Sequence, residues 1–233
     1  MQTVTLKNVS KDYRTNEAYK TLRTNLEFSG SDKKSIVLTS STPSEGKSTV
    51  SLGLAISLAE GGRRVLLVDA DLRKSVLMGR HRVMNEVKGL SHYLSGQASL
   101  SEVVCATQQE GMYMIFAGVV PPNPSELLGS ARFLDLIEKA EKEYDYVIID
   151  APPLGSVIDA AVISKACDAS VLVVAANTVS YKFIRTVKSQ MEKTDCPILG
   201  VVLNKVNMKQ NKYYEKYYGN YYGEGSGHHS HNK

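Results

Sequence analysis

The sequence predicts an α/β fold, a mostly parallel sheet covered by helices on both faces, and three observations predict it. Short runs dominated by Val, Ile and Leu recur along the chain, patterns of helical period lie between them, and two of the runs end in Asp. Strands held between two helix layers bury both faces and so read as continuous apolar runs. With 233 residues and 42% hydrophobic content, the chain is long enough for one large domain with a real core.

The first helical pattern, residues 17–28, is amphipathic, with Tyr19, Leu22, Leu26 and Phe28 at apolar positions. It stands outside the strand–helix alternation, which leaves it as a lid, a packing helix or an association element. Strands are expected at 35–40, 65–70, 112–117, 146–151, 169–176 and 198–203. Residues 49–60 carry Leu52, Ile56 and Ala59 on one side and stop at Gly61-Gly62, a helix with good C-terminal punctuation. Asn123-Pro124-Ser125-Glu126 reads as an N-cap, a Pro at the first helical position and a Glu at the third. It opens one helix whose buried face is Leu127, Leu128, Phe133, Leu136 and Ile137. A further helix fits 181–192. From Asn207 onward aliphatic residues almost vanish, so burial cannot offset ordering entropy and a flexible tail is expected. The expected organisation is an N-terminal segment at 1–34, a main domain at 35–206 and a tail at 207–233.

Composition removes several classes. The balance of 28 Lys and Arg against 24 Asp and Glu, a net +4, is too slight to argue for nucleic acid. No apolar run approaches the roughly 18–20 residues that span a bilayer, and residues 1–10 lack a secretory pattern. Cys105, Cys167 and Cys196 are odd in number, far apart and outside CxxC spacing, which points to buried thiols in a reducing compartment. The expectation is a soluble cytoplasmic protein. The aromatic content is unusual: no Trp, 4 Phe and 13 Tyr. Six of those tyrosines, Tyr213, Tyr214, Tyr217, Tyr218, Tyr221 and Tyr222, cluster near the C-terminus, where no core would use them.

Three motifs carry chemistry. Ser41-Thr42-Pro43-Ser44-Glu45-Gly46-Lys47-Ser48-Thr49 lies between a strand and a helix and forms a P-loop with Ser41 at the first Gly position. Ser44, Glu45, Gly46, Lys47, Ser48 and Thr49 are the expected nucleotide-binding residues. Gly46 lets backbone N–H donors converge on phosphate, the helix dipole assists, Lys47 reaches the β- and γ-phosphates, and Ser48 binds Mg²⁺. Val65-Leu66-Leu67-Val68-Asp69-Ala70-Asp71-Leu72-Arg73 places two carboxylates at the carboxyl end of a buried strand, where such sheets bind ligands. Two close carboxylates repel unless a cation or proton lies between them, and Mg²⁺ on a nucleotide resolves that. Val147-Ile148-Ile149-Asp150 repeats the arrangement as a Walker B element, whose Asp holds Mg²⁺. Together they define a P-loop NTPase fold that binds a nucleoside triphosphate with Mg²⁺.

The tyrosine cluster bears on what the nucleotide is for. A tyrosine hydroxyl with a pKa of about 10 is almost wholly un-ionised at neutral pH, so a carboxylate that accepts its proton assists phosphoryl transfer. Asp69 or Asp71 can serve, since only one is needed close to Mg²⁺. About 20 extended residues reach up to roughly 65 Å, enough to enter a neighbouring subunit's site. An aromatic RNA-stacking tract, with Lys205, Lys209, Lys212 and Lys216, and a sticky interaction tail are the other readings of the cluster.

In the order and content of these motifs the chain resembles the bacterial tyrosine kinases (BY-kinases) of the capsular-polysaccharide CpsD/CapB type. Ser41–Thr49, an hhhDxDxR box at 65–73, 147–150 and the tyrosine cluster match that family's Walker A, Walker A′, Walker B and tail. The resemblance implies the MinD/ParA-like subclass of P-loop folds, ATP and Mg²⁺ as cofactors, and autophosphorylation of the tail in trans. It implies Lys47 as the phosphate clamp, Asp69 as tyrosine base, and Ser48, Asp71 and Asp150 around Mg²⁺. In related ATPases an Asn after the last strand reads the base, the position of Asn204. Members form rings through a helix carrying ExxRxxR; here Glu17, Lys20 and Arg23 match, with Lys20 for the first Arg and its bidentate geometry lost.

The resemblance further implies a separate transmembrane activator or polysaccharide co-polymerase that holds the kinase at the inner face of the membrane. It implies a tyrosine phosphatase and other proteins as partners, no nucleic acid, and a role in capsular or exopolysaccharide synthesis and export. Six phosphotyrosines add about −9 to −12 charges, which reverses the tail's sign and disfavours the ring. The alternatives are a MinD/ParA-like ATPase switch without kinase activity, which usually carries a second Lys early in the P-loop, and a nonenzymatic nucleotide-bound scaffold.

Overall fold

A computed structural model describes residues 1–7, 12–83 and 87–207. Its strands are β1 (Gln2–Val4), β2 (Ser35–Ser40), β3 (Val65–Asp69), β4 (Val104–Thr107), β5 (Met112–Ile115), β6 (Tyr146–Asp150), β7 (Ala169–Ala175) and β8 (Ile198–Asn204). They form one sheet in the order β1-β4-β5-β3-β6-β2-β7-β8. Neighbours from β5 to β8 are parallel; β4 runs antiparallel to β5, and β1 pairs parallel with β4. The helices are α1 (Tyr13–Phe28), α2 (Lys47–Glu60), α3 (Leu77–Arg80), α4 (Leu90–Leu94), α5 (Leu100–Val103), α6 (Pro124–Leu128), α7 (Ala131–Glu143), α8 (Asp159–Ser164) and α9 (Tyr181–Met191).

Every residue of β2, β3, β6 and β7 is buried, because alternate side chains feed two cores. Val37, Leu66 and Val147 pack with Phe133, Leu136, Ile163 and Val187 from α7, α8 and α9. Ile36, Leu38 and Leu67 pack on the opposite face with Leu26, Leu54 and Leu58 from α1 and α2. Among the described residues no helix is long and apolar enough to cross a membrane, and Cys105, Cys167 and Cys196 are free thiols.

The expected strands form with ends moved by a residue or two, but the structure adds β1 and β4, which are too short and too mixed to show a pattern. The helix expected to run on from Asn123 is two helices. α6 stops at Gly129, where a Cβ would lie 3.2 Å from Val162, and α7 restarts behind Ser130, whose hydroxyl accepts from the Phe133 N–H. Asn123 makes no side-chain cap.

α1 is a packing helix. Asp12 caps its start by accepting from the Thr15 N–H at 2.9 Å. The Tyr19 ring fills the notch at Gly53, where a Cβ would stand 2.1 Å from Tyr19 Cζ, and its hydroxyl donates to Thr49 O at 3.1 Å. Arg23 donates to Ser57 O in the last turn of α2, where a cation also suits the helix dipole. Thr49, Gly53 and Ser57 are spaced by four, one stripe of α2 met by Tyr19 and Arg23, also four apart. Phe28, counted above among the apolar positions, is 83% exposed; it follows buried Leu26 by two residues, about 200° round the axis.

An alanine at position 53 gains roughly 1 kcal/mol of helix propensity but overpacks against Tyr19. We expect the clash to win, with Gly53→Ala destabilising by about 1–3 kcal/mol in urea unfolding. In a Tyr19→Ala background the same change should be neutral or stabilising; an equal loss in both backgrounds contradicts the keyed packing.

Candidate active site

Strand register assembles the site. β3 and β6 pair so that Asp69 lies directly across from Asp150, and β6 in turn pairs with β2, which leads into the phosphate loop. α2 starts at Lys47, directly behind that loop, so three carboxyl-terminal strand ends and one helix N-terminus converge. Lys47 Nζ lies 3.2 Å from Asp150 Oδ1, 3.5 Å from Asp71 Oδ2 and 3.2 Å from Ser48 Oγ. Ser51, one turn along α2, also donates to Asp150 Oδ1 at 3.2 Å. Asp71 Oδ1 accepts from the Lys74 N–H at 3.0 Å. Asp69 accepts from the Ser75 hydroxyl on one oxygen and from the Asp71 N–H on the other.

The electrostatics are those of a site short of positive charge. Burial, then the charge of Asp150, push the Asp69 carboxyl up to about 7, against the opposing pull of Ser75 and Lys47. Burial is the largest single influence on Lys47 and draws it down, yet Asp150, Asp71 and Asp69 together hold the ammonium above its ordinary value. Asp150 Oδ2 is buried and has no hydrogen-bond partner among the described residues. A carboxylate excess, an orphaned carboxylate oxygen and a nearby Ser48 hydroxyl are a donor set that fits Mg²⁺. Among the described residues no group of three or more His, Cys, Asp or Glu is placed to hold a metal ion alone; Mg²⁺ ordinarily keeps several waters and shares phosphate oxygens.

The loop itself is braced from within. The buried Glu45 carboxylate accepts from Ser41 Oγ at 2.8 Å, the Thr42 N–H at 2.7 Å and the Ala175 N–H at 3.1 Å. The Glu45 side chain thus ties the loop to β7. Ser41, at the position of a usual glycine, serves that strut. Gly46 has φ +93° and faces the Asn204 amide, so it answers both a backbone and a packing demand. Asn204 Nδ2 donates to Glu45 O at 2.9 Å. Thr49 is exposed, and its hydroxyl accepts from Arg80 at 2.7 Å.

Arg73, the last residue of the DxDxR box, forks onto buried Asp159 with contacts of 2.7 and 3.0 Å and also reaches Ser125 Oγ at 3.0 Å. Burial pushes Asp159 up most strongly, but the bonds from Arg73 and Ser125 carry it below its ordinary value. The clasp ties the loop bearing Asp71 to α6 and α8. Nothing in the sequence marks Asp159, Ser125, Ser51 or Ser75 for these roles, because each depends on a partner set by the fold. On α1, Lys20 pairs with Glu17 at 2.7 Å and Arg23 is engaged by α2. Tyr213, Tyr214, Tyr217, Tyr218, Tyr221 and Tyr222 lie outside the described residues.

A family model described as an AAA domain matches residues 33–196. The tyrosine-protein kinase CpsD of Streptococcus agalactiae is 44% identical over 194 residues, 83% of this chain and 85% of the relative. The crystal structure of the chimerical protein CapA2B2 superposes with a TM-score of 0.78 at 30% identity, over 88% of this chain and 94% of that one. MinD from Pyrococcus horikoshii, solved with Mg-ADP, superposes with a TM-score of 0.65 at 25% identity, covering 78% of this chain and 76% of that one. Fold and site together define a P-loop NTPase of the AAA class, with MinD-type ATPases among its structural neighbours. Within that class, the chain belongs to the CpsD-type family of bacterial protein-tyrosine kinases.

The raised Asp69 carboxyl has a consequence for the nucleotide-free chain. Its folded value of about 7 lies above the ordinary 3.8, so Asp69 contributes its full stability below pH 3.8 and loses it as pH rises through 7. Thermal melts in chelator should therefore fall more steeply between about pH 5 and about pH 7.5 for the wild type than for Asp69→Asn. Parallel slopes contradict the assignment.

Proposed function

We propose that this kinase transfers the γ-phosphoryl group of Mg-ATP to the tyrosines at 213, 214, 217, 218, 221 and 222 of a neighbouring copy. The observation that carries this reading is the convergence of Lys47, Asp71 and Asp150 with one buried Asp150 oxygen left unpartnered. The Glu45 and Gly46 backbone and the N-terminus of α2 cradle the phosphates, and Lys47 exchanges carboxylate partners for phosphate oxygens. Ser48, Asp71 and Asp150 would hold Mg²⁺. When bound, the ion would neutralise charge on the transferring group and align it.

The substrate tyrosine oxygen attacks the γ-phosphorus, the bond to the bridging oxygen of ADP breaks, and the phenolic proton passes to Asp69. Asp69 already accepts a hydroxyl hydrogen bond, from Ser75; the incoming tyrosine takes the place of that serine. Kinship with the CpsD-type kinases supports the wider assignment to capsular or exopolysaccharide synthesis and export. On the same ground the kinase works at the inner face of the membrane with a separate transmembrane activator, and a phosphatase and further protein substrates complete the circuit. Association of unphosphorylated copies runs through Glu17, Lys20 and Arg23 of α1. Since Arg23 is committed to Ser57 of its own chain, the contact with a neighbour falls mainly to Glu17 and Lys20.

Incubation with Mg-ATP and an activator fragment, followed by mass-spectrometric mapping, tests the reading. Phosphotyrosine is expected on the cluster in the wild type and none in Lys47→Met alone. Mixed with wild type, the Lys47→Met chain should acquire phosphate on its own tail, as transfer in trans requires. ATP hydrolysis with an unmodified tail would sink the proposal in favour of a nucleotide switch.

A further inference from the structure

Two consecutive carbonyls of the phosphate loop are held from outside by the end of β8. Lys205 Nζ donates to Ser44 O at 2.6 Å, and Asn204 Nδ2 donates to Glu45 O at 2.9 Å. In a planar trans peptide the C=O and the following N–H point in opposite directions. Pinning Ser44 O therefore turns the Glu45 N–H to the other side of the loop, and pinning Glu45 O does the same for the Gly46 N–H.

The backbone is bent to permit this. Ser44, Gly46 and Lys205 have φ values of 67°, 93° and 57°. Left-handed backbone at a serine and a lysine is strained and persists where surrounding contacts over-determine it; here the two residues hold each other. Asn204 packs tightly on the loop, since a Cβ on Gly46 would stand 2.1 Å from Asn204 Nδ2, with Lys205 Cε in ordinary contact at 4.0 Å. Successive N–H groups turned to one side are an anion nest, and a lysine ammonium on the outer carbonyl reinforces their polarity.

We propose that Asn204 and Lys205 form a latch, positioning residues that aim the Glu45 and Gly46 N–H groups at polyphosphate. Lys205 thereby sets phosphate affinity from outside the cradle, through the loop rather than by contact with the base. The proposal rests on the reading of the cradle as the ATP site. It differs from base reading by Asn204, because a latch acts on any ligand that carries the phosphates.

Titration calorimetry with Mg-ATP and with inorganic tripolyphosphate separates the possibilities. Lys205→Ala is expected to weaken both ligands by about tenfold, the scale of a lost charged hydrogen bond. Lys205→Gly, whose backbone accepts the positive φ, should weaken both equally while its melting temperature holds, which excludes fold damage as the cause. Lys205→Arg should recover most of the affinity, and in phosphotransfer assays Lys205→Gly should raise KM for ATP while kcat stays within about twofold. Unchanged affinity in Lys205→Gly overturns the latch, as does a loss confined to ATP with tripolyphosphate unaffected. A wild type that binds neither ligand overturns the ATP-site reading and the latch with it.

Discussion

The Lys47 ammonium sits where two negative strand ends meet, and most of the molecule is arranged to put it there. β3 and β6 both end in Asp, and their register sets Asp69 beside Asp150, an arrangement that is repulsive in a dry interior. Lys47 bridges Asp150 and Asp71 from the first turn of α2, so the phosphate loop that precedes it is drawn over the same strand ends. Removing one partner of such a group leaves uncompensated buried charge, which is why the site is coupled to folding as well as to chemistry. The single lysine does not balance the set. Asp69 answers by shifting toward its protonated form, and Asp150 keeps one oxygen without a partner.

Everything around this group restrains it. The Glu45 carboxylate ties the loop to β7, the end of β8 holds two of its carbonyls, and the Arg73–Asp159–Ser125 clasp fixes the loop carrying Asp71 against α6 and α8. α1 keys into α2 through Tyr19 and Arg23, on a stripe that starts at Thr49, next to Ser48. The helix with the residues proposed for association is thus continuous, through packed side chains, with the helix that presents Lys47. The transfer between copies proposed above would have use for such contact between the proposed association residues and the phosphate site.

How much was legible in advance follows from how far apart the partners are. The phosphate loop, the DxDxR box and the strand ending at Asp150 are runs of consecutive residues, so their chemistry reads directly from the sequence. The pairing of Asp69 with Asp150 does not, because it depends on the register of two strands that have β4, β5 and five helices between them in the chain. Asp159 is in the same position: a buried carboxylate is invisible until the arginine that neutralises it is placed. The break at Gly129 and the Ser130 cap were hidden because apolar positions on either side continue one helical pattern. β1 and β4 were lost because three or four residues cannot establish a period. Lys205 was legible only as one of several tail lysines, and its reach back to Ser44 is a tertiary fact.

In the proposed function, the charge of these carboxylates and Lys47 is completed by Mg²⁺ together with nucleotide. Calorimetric titration of ADP into the wild type and into Asp150→Asn, each with Mg²⁺ and with chelator, tests it most directly. Mg²⁺ is expected to tighten ADP binding markedly in the wild type, and this gain should largely disappear in Asp150→Asn. Equal affinity for ADP with and without Mg²⁺ in the wild type, or a gain from Mg²⁺ that survives intact in Asp150→Asn, would contradict it.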